Sequence, residues 1–311
     1  MLSFALKRLA LVIPVMLAVS FIVFMVLRLG PVDPALAYLL NSRIPPTDDA
    51  LAMTRLELGL NKPFLEQYLI WFKGAMSLDF GLSYTTKRDA FGELMYYFPT
   101  TLKLAGISML VVMMLSIPMG IIAALKRNST IDRLIKLFSF VGVSTPSFWL
   151  GFLLMYLCAV KFQILPPFGD GDIKHYIMPV ITLSLMSIAI NTRLTRTSFL
   201  EHLNQRSVLY ARVTGMSKNK IIGKYTLKNS MIPIITSLGM HFGELLGGAV
   251  VVETLFAWPG VGRYVVSSIT NHDYPVIQCF MIIMTGIFIL INLVTDILYA
   301  CLNPKIRYGQ E

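Results

Sequence analysis

The sequence predicts an all-α polytopic membrane protein with six transmembrane helices. Three observations carry this. Hydrophobic residues make up 55% of the 311, charged residues only 14%, where a soluble domain carries about 25%. Mean hydropathy is +0.67. Apolar runs of roughly the 20 residues that a bilayer crossing requires recur along the chain. This composition excludes a disordered chain, which needs low hydrophobicity. The net charge of +10 fits a nucleic-acid partner or a membrane surface, and the apolar excess favours the membrane. Cys158, Cys279 and Cys301 are scattered without a C-x-x-C pair, so no disulfide framework or zinc knuckle is indicated.

The first span is Leu9–Leu29. Lys7 and Arg8 precede it as in a signal peptide, but no small-residue cleavage site follows, and it reads as an uncleaved span. Leu102–Leu125, Leu137–Val160, Ile177–Asn191, Met231–Val252 and Ile277–Ala300 are the others. Pro118 and Pro146 fall inside the second and third, where each removes an intrahelical hydrogen bond and can kink the helix. Lys/Arg counts set the orientation. With the N-terminus inside, the inner segments hold 16 basic residues, including Lys305 and Arg307, and the outer ones hold 9. Both termini are therefore expected on the cytoplasmic side. The chain divides into 1–29, the N-terminal segment and first helix; 30–98, an extracytoplasmic loop or subdomain; and 99–311, a five-helix core. Within 30–98, Asp48–Leu58 and Phe64–Phe72 read as helical. The core includes an inner basic loop at 193–229, too long for a mere connector.

No phosphate loop, nucleophile elbow or H-E-x-x-H zinc site occurs, so ATP hydrolysis through a phosphate loop and the familiar hydrolase constellations are not expected. Charges within spans are costly and mark candidate sites. Arg28 and Lys103 lie near outer ends and can snorkel. Glu244 and Asp296 lie deeper. At about 100° per residue, Gly239, Gly243 and Gly247 form one stripe of the fifth span, and Ser237, His241, Glu244 and Gly248 form a separate polar face. That face is either a translocation surface or a helix–helix contact. Imidazole and carboxylate also suit a borderline divalent metal such as nickel, so His241 and Glu244 are the candidate metal contacts, transient because a carried ion must leave. Thr285, Asn292 and Asp296 share one face of the sixth span, as a polar seam between helices or part of a gate, with the seam favoured because Asp296 lies near the inner end.

In the inner loop, Ser207–Val213 can form a short helix that Gly215 terminates. Leu209 and Val213 share a face, which would meet either a partner groove or anionic lipid.

The pattern Tyr210-Ala211-Arg212-x-x-Gly215, then Leu227-Lys228-Asn229-Ser230-x-Ile232-Pro233, resembles the inner-loop signature of ABC importer permeases of the dipeptide/oligopeptide/nickel family. Leu58-Gly59-Leu60-Asn61-Lys62-Pro63, Leu78-Asp79-Phe80-Gly81, Phe256–Arg263, Asp273–Gln278 and Leu302–Arg307 extend the likeness along the whole chain. Tyr-Ala-Arg stands where the general importer consensus has Glu-Ala-Ala, a departure expected within this family. Met240-His241-x-Gly243-Glu244 most resembles the nickel branch. The resemblance implies a type I importer permease (MetI-like) fold and alternating access. It implies a second homologous permease, two ATPase subunits that hold ATP, an extracytoplasmic binding protein, and a nickel or nickel-chelate cargo. It implies no cofactor on this chain, no enzymatic activity and no nucleic acid. Tyr210, Ala211, Arg212 and Gly215 match the ATPase-coupling motif; His241, Glu244 and Ser237 are the candidate pathway residues. A dipeptide or oligopeptide permease is the alternative within the family. A self-contained metal channel or secondary transporter is the alternative outside it.

Overall fold

The computed structural model describes residues 2–302, with side chains from 10 to 298. The side chains of Lys7 and Arg8, and the whole of Asn303–Arg307 with Lys305, lie outside the described residues. The fold is 79% helical, and among the described residues five helices are long and apolar enough to cross a membrane. It forms two compact units. One comprises Leu102–Trp258 with the chain ends up to Ala5 and from Ile291; the other comprises Leu6–Thr101 with Pro259–Leu290.

The second of these units holds α1 (Leu2–Arg28) from Leu6 on. Three short helices follow: α2 (Pro34–Asn41), α3 (Asp48–Glu57) and α4 (Phe64–Met76). They start where the sequence provides caps. The Asp33 side chain accepts from Ala35 N before Pro34, and Thr47 accepts from Ala50 N, each satisfying an orphan first-turn donor. Helix α4 packs by aromatic edges on α1: Tyr68 and Trp71 lie 5.5 and 5.4 Å from Phe24. The Ser20 and Tyr68 hydroxyls are 2.8 Å apart. Ala75, Phe80, Leu94, Val261, Val276 and Cys279 form the unit's core. Asp273 fastens the 82–89 segment to the start of the last helix. Its carboxylate accepts from Ser83 Oγ (2.6 Å), Tyr84 N (2.9 Å) and Thr85 N (3.2 Å). Burial pushes the Tyr84 phenol up to about 12, so it stays neutral.

The other unit is built around α8 (Ile173–Leu203), entered through an Asp172–His175 capping box. Half of its apolar window is buried, against 17% for α1, as befits a central helix. It packs against α6 (Thr130–Ser144), α7 (Ser147–Leu154) and α11 (Lys228–Leu255). Val112 of α5 (Ala90–Leu125), Ile188, Ile234 and Leu238 form one core cluster. The predicted third span, where Pro146 is expected to kink the helix, is two helical pieces. Helix α6 ends before Pro146, α7 and its π-helical extension (to Lys161) follow, and the two are bent by 102°. Counting that pair as one span, the described residues hold up to six candidate spans. Pro146 has no N–H to donate and pushes Thr145 out of the α region; Thr145 has ψ 117°. Pro118, by contrast, sits within the unbroken α5. The fourth span is longer than predicted, because the helix continues through the basic residues after Asn191.

Candidate functional site

The segment predicted as an inner loop at 193–229 is mostly helix. After α8 ends at Leu203 come α9 (Arg206–Val213), a turn, α10 (Lys218–Lys220), and a π-helical stretch (Ile221–Leu227) that runs directly into α11. The short helix expected at Ser207–Val213 is α9, begun one residue earlier. Gly215 follows its Thr214 cap with φ +77°, a left-handed conformation that glycine adopts without steric cost. Nothing lies within 4 Å of where a Cβ would stand, so backbone conformation alone calls for glycine here.

Helix α9 has two faces. Val208 and Ala211 are each 1% exposed and pack with Ile221, Met216 and Tyr225. Leu209, Tyr210 and Val213 are 62%, 71% and 79% exposed, and Arg212 is exposed beside them. Of the four signature residues, Tyr210 and Arg212 therefore face outward, Ala211 anchors the helix, and Gly215 ends it. Arg212 also lines a cavity of about 370 Å³ with Met216, Lys218 and Ile221. Large apolar side chains left exposed beside Arg212 on a short helix are suited to a contact surface.

The polar face of α11 is equally two-sided. His241 is buried at 8% exposure, while the Glu244 side chain is 61% exposed. His241 Nδ1 and Glu244 Oε2 are 2.6 Å apart, so the imidazole is held in place by the carboxylate one turn on. Met240, Glu244, Gly247, Gly248, Val251 and Thr254 are all exposed. Their spacing is that of one helical stripe, which the described residues leave exposed. A carboxylate facing hydrocarbon would be costly, so this stripe suits a polar pathway or a partner helix. Ser237 is half-buried. The glycine stripe is used unevenly. A Cβ on Gly239 would collide with Thr295 of the last helix (Tyr274–Leu302), whereas Gly247 has open space. Among the described residues no group of three or more His, Cys, Asp or Glu could hold a metal ion, so His241 and Glu244 stand as a pair.

Two charged residues take roles that the sequence reading did not assign. Asp132, with its side chain fully buried, accepts from Arg196 Nε at 2.7 Å and Nη2 at 2.9 Å and from Asn128 N at 2.9 Å. This bidentate pair ties the first turn of α6 to α8. The signal was only a lone acid among the bases of 126–136. Arg28 does not snorkel as expected: its Nε and Nη1 are buried with no hydrogen-bond partner.

Residues 116–308 match the family "Binding-protein-dependent transport system inner membrane component", and residues 1–105 match its N-terminal companion. The chain is 40% identical over 310 residues to the glutathione transport system permease protein GsiC of Escherichia coli (strain K12) and of Salmonella paratyphi A. In each case 99% of this chain and 100% of the relative are covered. Among solved structures, the MetNI methionine ABC transporter in inward-facing conformations aligns with TM-score 0.55 and 15% identity, over 68% of this chain and 96% of that one. An amino acid ABC transporter with histidines aligns with TM-score 0.51 and 19% identity, over 69% and 94%. These two likenesses establish the type I importer permease fold.

Proposed function

Because the chain belongs to the binding-protein-dependent transport system inner membrane component family, the permeases of ABC importers, we propose that it forms half of a transmembrane pathway for a small peptide cargo of the glutathione class. The chain is a multi-pass inner-membrane transport subunit, and ATP hydrolysis is done by separate ATPase subunits. An ABC importer of this family works with ATPase and binding-protein partners. The observation that carries the cargo reading is the 40% identity to the glutathione permeases, sustained over both whole chains. A peptide and a metal ion ask different things of a pathway. A peptide needs room and scattered polar contacts, which the small and polar stripe Glu244, Gly247, Gly248 and Thr254 can supply.

In this reading a second homologous permease covers that stripe, and the pathway runs between the two. The exposed Leu209, Tyr210 and Val213 of α9 dock in a groove of the ATPase, and the buried Val208 and Ala211 transmit the movement to the π-helical start of α11. ATP-driven closure of the ATPases opens the pathway outward, and hydrolysis resets it. The loop charges favour cytoplasmic termini, which puts α9 on the same side as the ATPases. Nickel is the second reading, favoured by the His241–Glu244 pair; two donors would offer a passing contact to a free or chelated ion.

The test is uptake of radiolabelled glutathione by cells lacking and regaining the gene, with dipeptides and nickel as competitors. Glutathione uptake should return with the gene and fall with competing peptide. Restored nickel uptake that peptides do not inhibit would overturn the peptide reading.

A further inference from the structure

A cavity of about 330 Å³ lies wholly within the unit formed by Leu6–Thr101 and Pro259–Leu290. Arg28, Trp71, Phe80, Tyr84, Tyr274 and Gln278 are among its lining residues. Arg28 and Trp71, two of these lining residues, carry three N–H-bearing atoms, Arg28 Nε and Nη1 and Trp71 Nε1, that are buried and have no partner among the described residues. Gln278, only 4% exposed, adds an amide. Buried polar groups in folded proteins are nearly always hydrogen-bonded, and three orphans on one cavity call for a shared acceptor.

The acceptor must carry charge. Among the described residues Arg28 makes no ion pair, and its guanidinium rides over the Phe24 ring at 5.2 Å. Of the three nearby carboxylates, Glu57 lies on the lining but is not paired with Arg28, and the other two are committed elsewhere. Asp33 is bound by Arg55 through Nε (2.9 Å) and Nη2 (2.5 Å) and caps α2. Asp273 is bound by Ser83, Tyr84 and Thr85. A desolvated guanidinium without a counter-ion is unfavourable, and its planar fork matches an oxyanion. The walls are aromatic, and Glu57 also lines the cavity, which disfavours a second negative charge. A volume of this size holds on the order of ten water-sized groups.

We propose that this cavity is a binding site for a monoanionic oxygen group, a carboxylate or a phosphodiester, held by Arg28 and Trp71. It is independent of the cargo assigned above. The group could come from a free carboxylate-bearing molecule or from an anionic lipid headgroup.

The test uses the full chain, purified with the subunits of its transporter and labelled with 5-fluorotryptophan. The Trp71 fluorine resonance is assigned by Trp71→Phe. In phosphatidylcholine nanodiscs, sodium benzoate should shift that resonance saturably, and benzyl alcohol should not. Nanodiscs containing phosphatidylglycerol should shift it without benzoate if the headgroup is the natural occupant. Either shift upholds the site, and the pattern names the source. Arg28→Gln should weaken the response at least about tenfold, the factor expected for a lost charged hydrogen bond. Arg28→Lys keeps the charge but loses the fork and should weaken it less. If Arg28→Gln disturbs the Trp149 or Trp258 resonances, Arg28→Lys serves as the comparison. No shift with either anion, an equal shift with benzyl alcohol, or a response unchanged in the folded Arg28 variants would overturn the site.

Discussion

Replacing Arg196 with alanine should destabilise the central unit far more than loss of a surface ion pair. The Asp132 side chain is fully buried, whereas that of Arg196 is 19% exposed. Arg196→Ala removes both short bonds and leaves Asp132 with the Asn128 N–H at 2.9 Å and Lys136 Nζ at 3.6 Å. Stranding a buried charge in this way costs about 3–5 kcal/mol, against about 0–1 kcal/mol for an exposed pair. Asp132→Ala is milder, because the freed guanidinium can turn to water. The double variant should cost no more than Arg196→Ala alone, since the stranded charge is then gone, giving a coupling energy of about 2 kcal/mol or more. Arg196→Lys should fall between, having lost the fork. The assay is unfolding of the assembled complex in detergent, followed by tryptophan fluorescence, for the wild type, both single variants and the double. A cost below about 1 kcal/mol for Arg196→Ala, as for an exposed pair, or strictly additive single effects, would refute the reasoning.

Gly215→Ala should cost about 1–2 kcal/mol locally, the penalty of the left-handed conformation, and leave coupling intact. Gly215→Pro is forced away from φ +77° and loses the bond to Arg212 O, so substrate-stimulated ATPase activity should disappear; normal stimulation would count against α9 as the coupling helix. The pair His241→Ala with Glu244→Ala should lower uptake several-fold while the complex still assembles on a sizing column. Unchanged uptake would remove α11 from the pathway. Asp273→Ala strands the donors of Ser83, Tyr84 and Thr85 and should cost on the order of 3 kcal/mol. Amide hydrogen exchange across 82–89 should accelerate, and unaltered protection there would show that the segment is held by other contacts.

Local signals were readable where the chain's own chemistry sets the outcome. Apolar runs marked the spans, and Gly215 marked the end of α9. Pro146 marked the break in the third span, but not its 102° angle, which tertiary packing fixes. The length of α8 was underestimated because hydropathy falls at Arg193 and Arg196 although the helix continues to Leu203. A basic helix end outside the apolar layer has no hydrophobic signal to follow. Asp132 and Arg196 are 64 residues apart, and no periodicity links them. The glycine stripe at 239, 243 and 247 suggested one close helix contact. Only Gly239 meets Thr295, since whether a small residue is filled by a neighbour depends on where that neighbour runs. The His241–Glu244 pair was legible as helical spacing, but its division into a buried imidazole and an exposed carboxylate was not.

Transport by the reconstituted complex bears on cargo and coupling together. Proteoliposomes holding the full transporter, supplied with its binding protein and ATP, should accumulate radiolabelled glutathione. Accumulation should stop when ATP is replaced by a non-hydrolysable analogue. ATP-dependent accumulation of radioactive nickel with no transport of glutathione or dipeptides would contradict the peptide pathway proposed for α11.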